Sequence, residues 1–418
     1  MKDVLVIGGG PAGSTAATLL ARKGFSVTLL ERERFPRFQI GESLLPYNND
    51  LFERLGVTPQ MRSGDFVTKY GAEFVTADGE VGCAFRFDTN LDPPYQNSFQ
   101  VQRAEFDHLL LRNAASHGVD VREETSVAAV VLDDPTRVVV KTSEGELLEA
   151  RFAVDASGHG AVVGNRVGEK AAIDSLKKVA IFAHYRNVPR AEGRMGGNTV
   201  IVVLRDAWFW LIPVSSDVMS VGLVIDRDSL RDSGLTPHDL LERTIKITPY
   251  MRQRMERAEA VTPVLVRKDF SYSMRRMVGP NFALIGDAAG FIDPIFSTGV
   301  FLAMKSADLV ADGVEKRLHR GSMRLLERYE RSMQAALEKY FRFISHFYRR
   351  EFLEVFLQPS TRFGLIRPIV GVLAGDVFAG KRNRLKLELF FALVRLQKRF
   401  GVIAPRIEWD RLPAASTV

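Results

Sequence analysis

The chain has a single cysteine, Cys83, among 418 residues. That excludes an internal disulfide and a thiolate-built zinc site, and a reducing, cytoplasmic location is expected. Histidine is also scarce, and the seven present show no metal-ligand spacing, so no metal centre is expected. Long hydrophobic runs are missing. The apolar stretch Val4 to Ile7 leads straight into glycines, too short for a secretory signal. No window approaches the ~18 uninterrupted apolar residues of a spanning helix. There is no Gly-x-x-x-x-Gly-Lys loop, no Gly-x-Ser-x-Gly elbow, no repeat and no low-complexity tract. What remains, 46% hydrophobic and 26% charged, suits a globular enzyme long enough for two connected lobes.

The net charge of +7 is uneven: Arg342 to Phe400 holds twelve Lys and Arg against four Asp and Glu, leaving the remainder near neutral. A solvated helical face would explain this, as would an acidic partner such as an acyl carrier protein or an anionic membrane surface. No nucleic-acid module accompanies the charge, so nucleic acid is not expected as a partner.

Residues 3–7 read as a buried strand, the glycines that follow open a helix through Arg22, and Ser26 to Leu30 form the next strand. This is a βαβ unit. Gly8 permits the tight turn, Gly10 lets backbone approach a pyrophosphate, and Gly13 allows close helix–strand packing; Ala12 lies at the helix N-terminus among them. Glu31 closes the second strand at the spacing expected for a ribose-binding carboxylate, with Arg32 beside it. A dinucleotide site follows. Ser43 is a possible helix cap. Residues 65–100 read as strands, Arg103 to Ser116 as a helix, 119–155 as a small meander, 178–226 as strands and 237–259 as one helix. A strand at Phe282 to Ile285 ends in Gly286-Asp287, a long helix starts near Thr298, and everything beyond about 320 reads as helical. Asp287 is placed to accept hydrogen bonds from a ribityl chain or to cap a helix, and the next helix can aim its amides at a flavin ring.

Four segments together resemble the flavin-dependent halogenases, within the FAD monooxygenase superfamily that includes p-hydroxybenzoate hydroxylase. They are the glycine motif with Glu31, Arg37 to Pro46, Trp208 to Pro213 (Trp-Phe-Trp-Leu-Ile-Pro), and Phe291 to Gly299 (Phe-Ile-Asp-Pro-Ile-Phe-Ser-Thr-Gly). The resemblance covers residues 1 to about 345. It implies an α/β fold with a Rossmann-like FAD lobe (1–64, 101–176 and 270–345), an inserted β-sheet substrate lobe (65–100 and 177–269) and a helical C-terminal region (346–418). It implies FAD as cofactor, reduced by a separate flavin reductase, with chloride or bromide as co-substrate. Arg103 is matched to a residue that contacts FAD, and Thr298 and Gly299 to the step whose amides hold halide, Gly299 also facing the flavin. Lys69 is matched to the family's essential lysine, which hydrogen-bonds hypohalous acid or forms a haloamine. Trp208 and Trp210, two apart on a strand and so on one face, would wall substrate from flavin, with Pro294 and Phe296 lining the same pocket.

Tryptophan halogenases carry a glutamate where this chain has Phe296, so the resemblance points to the branch acting on phenols and pyrroles, free or carrier-bound. Two further readings stand beside it: a halogenase-like monooxygenase, desaturase or alkene reductase acting on a polyene or lipid, and a flavin-binding partner protein without turnover. Near the C-terminus Leu385, Leu389, Leu393, Leu396 and Phe400 recur at helical spacing among Arg384, Lys386, Arg395, Lys398 and Arg399. This stripe is expected to pack on the FAD lobe with wet basic flanks; the alternative is docking to an acidic carrier protein or a membrane surface.

Overall fold

The computed structural model describes residues 1–168, 170–173, 176–268, 271–359, 365–378 and 381–417, with the side chains of 381–384 left out. Arg384 therefore lies outside the described side chains. The strand Lys2–Ile7 is buried from Val4 onward, as a strand covered on both faces must be. It pairs in parallel with Val27–Leu30 and with Leu147–Asp155. Asp120–Arg122 extends the parallel sheet on one side and Phe282–Leu284 on the other. The segment 119–155 is thus not one meander: its first strand joins the parallel sheet, and only Val127–Asp134, Arg137–Thr142 and Leu147–Asp155 fold back on each other.

The turn out of the first strand leaves no room for side chains. Gly8 has φ +103°, and a Cβ on Gly13 would lie 1.8 Å from Gly8 O. Glycine at both positions lets the helix Pro11–Arg22 start directly on the sheet. That helix packs along Gly299–Arg320, which brings the glycine turn and the start of the later helix into one region.

A second sheet of eight strands carries the other half of the site. Gly71–Thr76 runs parallel to Thr199–Val203, and antiparallel pairing continues through Trp208–Pro213, Val218–Asp226 and Lys178–Arg186. A separate short pair, Val67–Lys69 with Ser98–Gln100, leads into it. The helix expected over 237–259 is two, Pro237–Ile247 and Pro249–Met255, because Pro249 holds Thr248 extended and ends the first. Ser43 caps no helix; it bridges to Gln100, and the helix begins at Asn48.

Helices Arg324–Phe347, Arg350–Leu357, Ile366–Ala374 and Lys381–Phe400 follow. Residues 401–417 are not helical beyond two short 3₁₀ turns, since Gly401 in the left-handed region stops the last helix and prolines follow. This tail is tied down by buried Glu354, which accepts from Gln397 Nε2 at 2.7 Å and Ile407 N at 3.3 Å, and by Asp206, which accepts from Ala415 N and Ser416 N.

Gly13→Ala is expected to destabilise the protein by at least about 2 kcal/mol, because the added carbon meets backbone that cannot move away. Urea denaturation of the apo protein measures this; a change within 0.5 kcal/mol of zero, the range of about half a kcal/mol seen for neutral surface changes, would contradict the account.

Candidate active site

At the phosphate end, the Glu31 carboxylate accepts from Gly9 N at 2.6 Å and from Glu33 N at 2.9 Å. Each oxygen keeps a second lone pair, so ribose hydroxyls and the loop can be held together. Gly10 is the N-cap of Pro11–Arg22 and supplies no capping side chain, so the first amides of the helix, Ala12 and Gly13 among them, have no side-chain cap and could serve an anion. A Cβ on Gly10 would meet nothing nearer than Arg37 Nη2 at 3.5 Å. Arg32 is exposed and pairs with Glu33.

Arg103 spends most of its donors on the protein: two bonds to Asp107 at 2.7 and 2.9 Å, one to Ile40 O at 2.7 Å and one to Gly41 O at 3.3 Å. It therefore fixes the Ile40–Gly41 bend, with one N–H left over. Burial works against its charge, but Asp107 overcomes this, with Asp287 and Glu42 adding to the pull. Those carboxylates thus converge on Arg103. Asp287 follows the strand Phe282–Leu284; its Oδ2 lies 3.8 Å from His159 Nε2. Burial pushes its carboxyl up, opposed by His159 and Arg103. Glu42 is buried with Oε1 2.7 Å from His184 Nε2, while its Oε2 has no hydrogen-bond partner among the described residues.

Lys69 ends the strand Val67–Lys69 and is 2% exposed. Its amine donates to Ser43 Oγ at 2.8 Å and to Leu44 O at 3.2 Å. Ser43 Oγ is 3.0 Å from Thr199 Oγ1, which accepts from Gln100 Nε2 at 2.9 Å. Burial without a compensating carboxylate lowers the Lys69 pKa to about 7. A neutral amine has two N–H groups, both used here, and one lone pair to spare. Ser98 is the cross-strand partner of Lys69, so its side chain shares the face, and its buried hydroxyl has no partner among the described residues.

The strand Trp208–Pro213 is buried throughout. The Trp208 and Trp210 rings lie 6.0 Å apart on one face; Trp210 Nε1 donates to Ser220 Oγ at 3.1 Å and Trp208 Nε1 to Tyr348 OH at 3.0 Å. Tyr348 in turn donates to Asp293 Oδ2 at 2.9 Å, and Asp293 Oδ1 accepts from Ile295 N. Burial pushes Asp293 up to about 6, opposed by Ile295 N–H, Tyr348 and Lys178. The aromatic wall and the loop Asp293–Gly299 are therefore hydrogen-bonded to each other through Tyr348. Pro294 and Phe296 bound the 3₁₀ turn, Ser297 adopts φ +56°, and Thr298 is the N-cap of the 22-residue helix Gly299–Arg320, again without a capping side chain. Phe296 is closed in by Phe343 and Phe347, at 5.5 and 5.7 Å, so no carboxylate enters from that position.

A family model for tryptophan halogenases matches residues 3–87 and 84–352. The chain belongs to the flavin-dependent halogenase family. It is 30% identical over 408 residues to a 1H-pyrrole-2-carbonyl-[peptidyl-carrier protein] chlorinase of Pseudomonas fluorescens, covering 91% of this chain and 90% of that one. Two solved structures are similar. The myxobacterial chondrochloren halogenase CndH has a TM-score of 0.79 at 34% identity, over 94% of this chain and 97% of that one. A flavoprotein/dehydrogenase from Cytophaga hutchinsonii has a TM-score of 0.87 at 29% identity, over 96% and 99%. The protein is an FAD-dependent oxidoreductase of the halogenase type, and its residues fit that cofactor: an uncapped helix N-terminus behind glycine, a carboxylate at the ribose position, and an orphaned buried oxygen on Glu42.

Several contributors were not legible in the sequence. Ser43, Thr199 and Gln100 hold the Lys69 amine from distant segments, and Tyr348 comes from a region with no motif. Only the Gly-Glu-Ser segment carried a signal.

Lys69 sets a pH dependence of stability. Between a folded pKa of about 7 and an unfolded one of about 10.4 the unfolded chain binds the extra proton, so wild-type stability rises with pH. The stability advantage of Lys69→Met over wild type is expected to fall by about 1.4 kcal/mol per pH unit between roughly pH 7.5 and 9.5. Parallel denaturation profiles would mean that the amine is charged.

Proposed function

We propose that this protein halogenates an electron-rich ring of the phenol or pyrrole type, carried on an acyl or peptidyl carrier protein, using FAD reduced by a separate cytoplasmic flavin reductase. The observation that carries the reading is the Lys69 amine: buried, donating to Ser43 Oγ and Leu44 O, with no carboxylate beside it among the described residues, so that burial brings its pKa down to about 7 and gives it a neutral fraction with a lone pair near neutral pH. The sequence similarity to a chlorinase of carrier-bound pyrrole supports the substrate class.

In this reading Gly8, Gly10, Ala12, Gly13, Glu31 and Arg32 bind the dinucleotide, while Arg103, Asp287 and Gly299 face its flavin end. The flavin lobe is formed by residues 1–64, 101–176 and 270–345, and the substrate lobe by 65–100 and 177–269. Bound reduced FAD supplies two electrons to dioxygen and halide supplies the other two, giving hypohalous acid and water. Thr298 and Gly299 hold the halide at a helix N-terminus, where anion binding is favourable. Lys69 receives the hypohalous acid; its nitrogen takes the halogen and water leaves. The ring then takes the halogen from nitrogen and returns its proton there, regenerating the amine. Trp208, Trp210, Pro294 and Phe296 keep ring and flavin apart, and Ser98 offers the free hydroxyl a small polar guest needs.

The similarity to a solved flavoprotein/dehydrogenase favours a second reading, redox chemistry without halide. The two separate in one experiment. The reduced holoenzyme, mixed with oxygen and bromide, is expected to carry an oxidising bromine equivalent through rapid desalting. Lys69→Ala is expected to oxidise bromide at the same rate but lose the equivalent to a phenolic scavenger in solution. Reoxidation indifferent to bromide would support the second reading, and retention by Lys69→Ala would remove the role given to Lys69.

A further inference from the structure

The last helix, Lys381–Phe400, presents its leucines the wrong way round for a packed helix. Phe390, Phe391, Leu393, Val394 and Gln397 are buried. Leu385, Leu389, Leu396 and Phe400 are exposed, Leu385 at 75% and Phe400 at 55%. Of the stripe expected to pack on the FAD lobe, Leu393 alone is buried. At 3.6 residues per turn the four exposed residues fall within about 60° of one another, a line about 22 Å long. Val402, at 73%, extends it past the helix end.

The flanks of the line are basic. The helix holds seven Lys and Arg against one acidic residue, Glu388, and both Glu388 oxygens are taken by Arg342. Arg395 and Arg399 are exposed on one side of the line, and Lys386 lies on the other. The opposite side of the helix leads inward: Phe390 stacks on Phe343 at 5.9 Å, and Phe343 contacts Phe296 at 5.5 Å, in the loop that ends at Thr298.

We propose that this face, Leu385, Leu389, Leu396 and Phe400 with Arg395, Arg399 and Lys386, docks an acidic helix of the carrier protein that delivers the substrate. The inference rests on the carrier-bound reading above. A narrow apolar line with anchors at i, i+4, i+11 and i+15 suits one helix laid against another, whereas a helix lying in a lipid surface presents a broad apolar face. The basic flanks complement an acidic partner and steer its approach. Seated here, a partner lies two aromatic layers from the halide loop.

Binding of a pyrrole-2-carbonyl-loaded peptidyl carrier protein to the FAD-loaded full chain, measured by calorimetry, tests this. The account expects affinity to fall at least about tenfold between 50 and 300 mM salt, as screening of several exposed charges requires. Leu389→Glu/Leu396→Glu and, separately, Arg395→Glu/Arg399→Glu are each expected to weaken binding about tenfold or more, the scale of losing one to two kcal/mol at an interface. Both should leave FAD affinity, the melting temperature and bromide oxidation unchanged. Absent binding, or binding that the variants do not weaken, overturns the proposal. So does loss in the variants of binding to phosphatidylcholine–phosphatidylglycerol vesicles, or of a homodimer in sedimentation, with carrier affinity intact. Failure of wild type to oxidise bromide would instead remove the halogenase reading, whatever the binding result.

Discussion

A primary amine removed from water with no counter-charge is the constraint on which this site turns. Lys69 would be an ordinary ammonium beside a carboxylate, and an ammonium has no lone pair. The surroundings deny it that partner among the described residues: Ser43 Oγ and the Leu44 carbonyl accept its hydrogens, and Thr199, itself held by Gln100, fixes Ser43. Burial brings its pKa down to about 7, which gives a neutral share near physiological pH, and neutrality is the chemically useful state. The same hydrogen bond also ties the strand Val67–Lys69 to the segment that leads into the helix at Asn48.

The aromatic layer beneath the C-terminal helices extends that constraint. Trp208 reaches Asp293 through the Tyr348 hydroxyl, so the strand Trp208–Pro213 and the loop Asp293–Gly299 share one hydrogen-bonded chain. Phe296, Phe343 and Phe390 continue the layer outward to the last helix. The tail closes the arrangement, since Asp206, just ahead of the tryptophan strand, holds Ala415 and Ser416.

Local chemistry was what the sequence disclosed best. The glycine turn, the helix Arg103–Ser116 and the helix beginning at Gly299 are each specified by residues within one or two turns of themselves, and Glu31 by its place in one βαβ unit. The environment of Lys69 is assembled from segments up to 156 residues apart, and nothing in the spacing of Ser43, Gln100 and Thr199 announces that they meet. Arg103 is expected from the motif as a cofactor contact; what the sequence does not disclose is that Asp107 holds its guanidinium so that it also braces Ile40 and Gly41. The last helix failed for a different reason. It has two apolar sides, and a periodicity argument cannot rank them; the side bearing Phe390 and Phe391 buries more area and finds Phe343 and Phe352, so the leucines are turned out.

The central claim is that burial, with no acid paired to the amine among the described residues, brings the Lys69 pKa down to about 7, so that a substantial share of the amine is neutral at physiological pH. Carbon-13 labelling of the lysine ε-methylene, with Lys69→Met to assign the resonance, allows that one group to be titrated by NMR in the folded protein. The account expects a midpoint near 7, set by burial alone. A midpoint in the range of exposed lysines, about 10.4, would show a charged amine and contradict it.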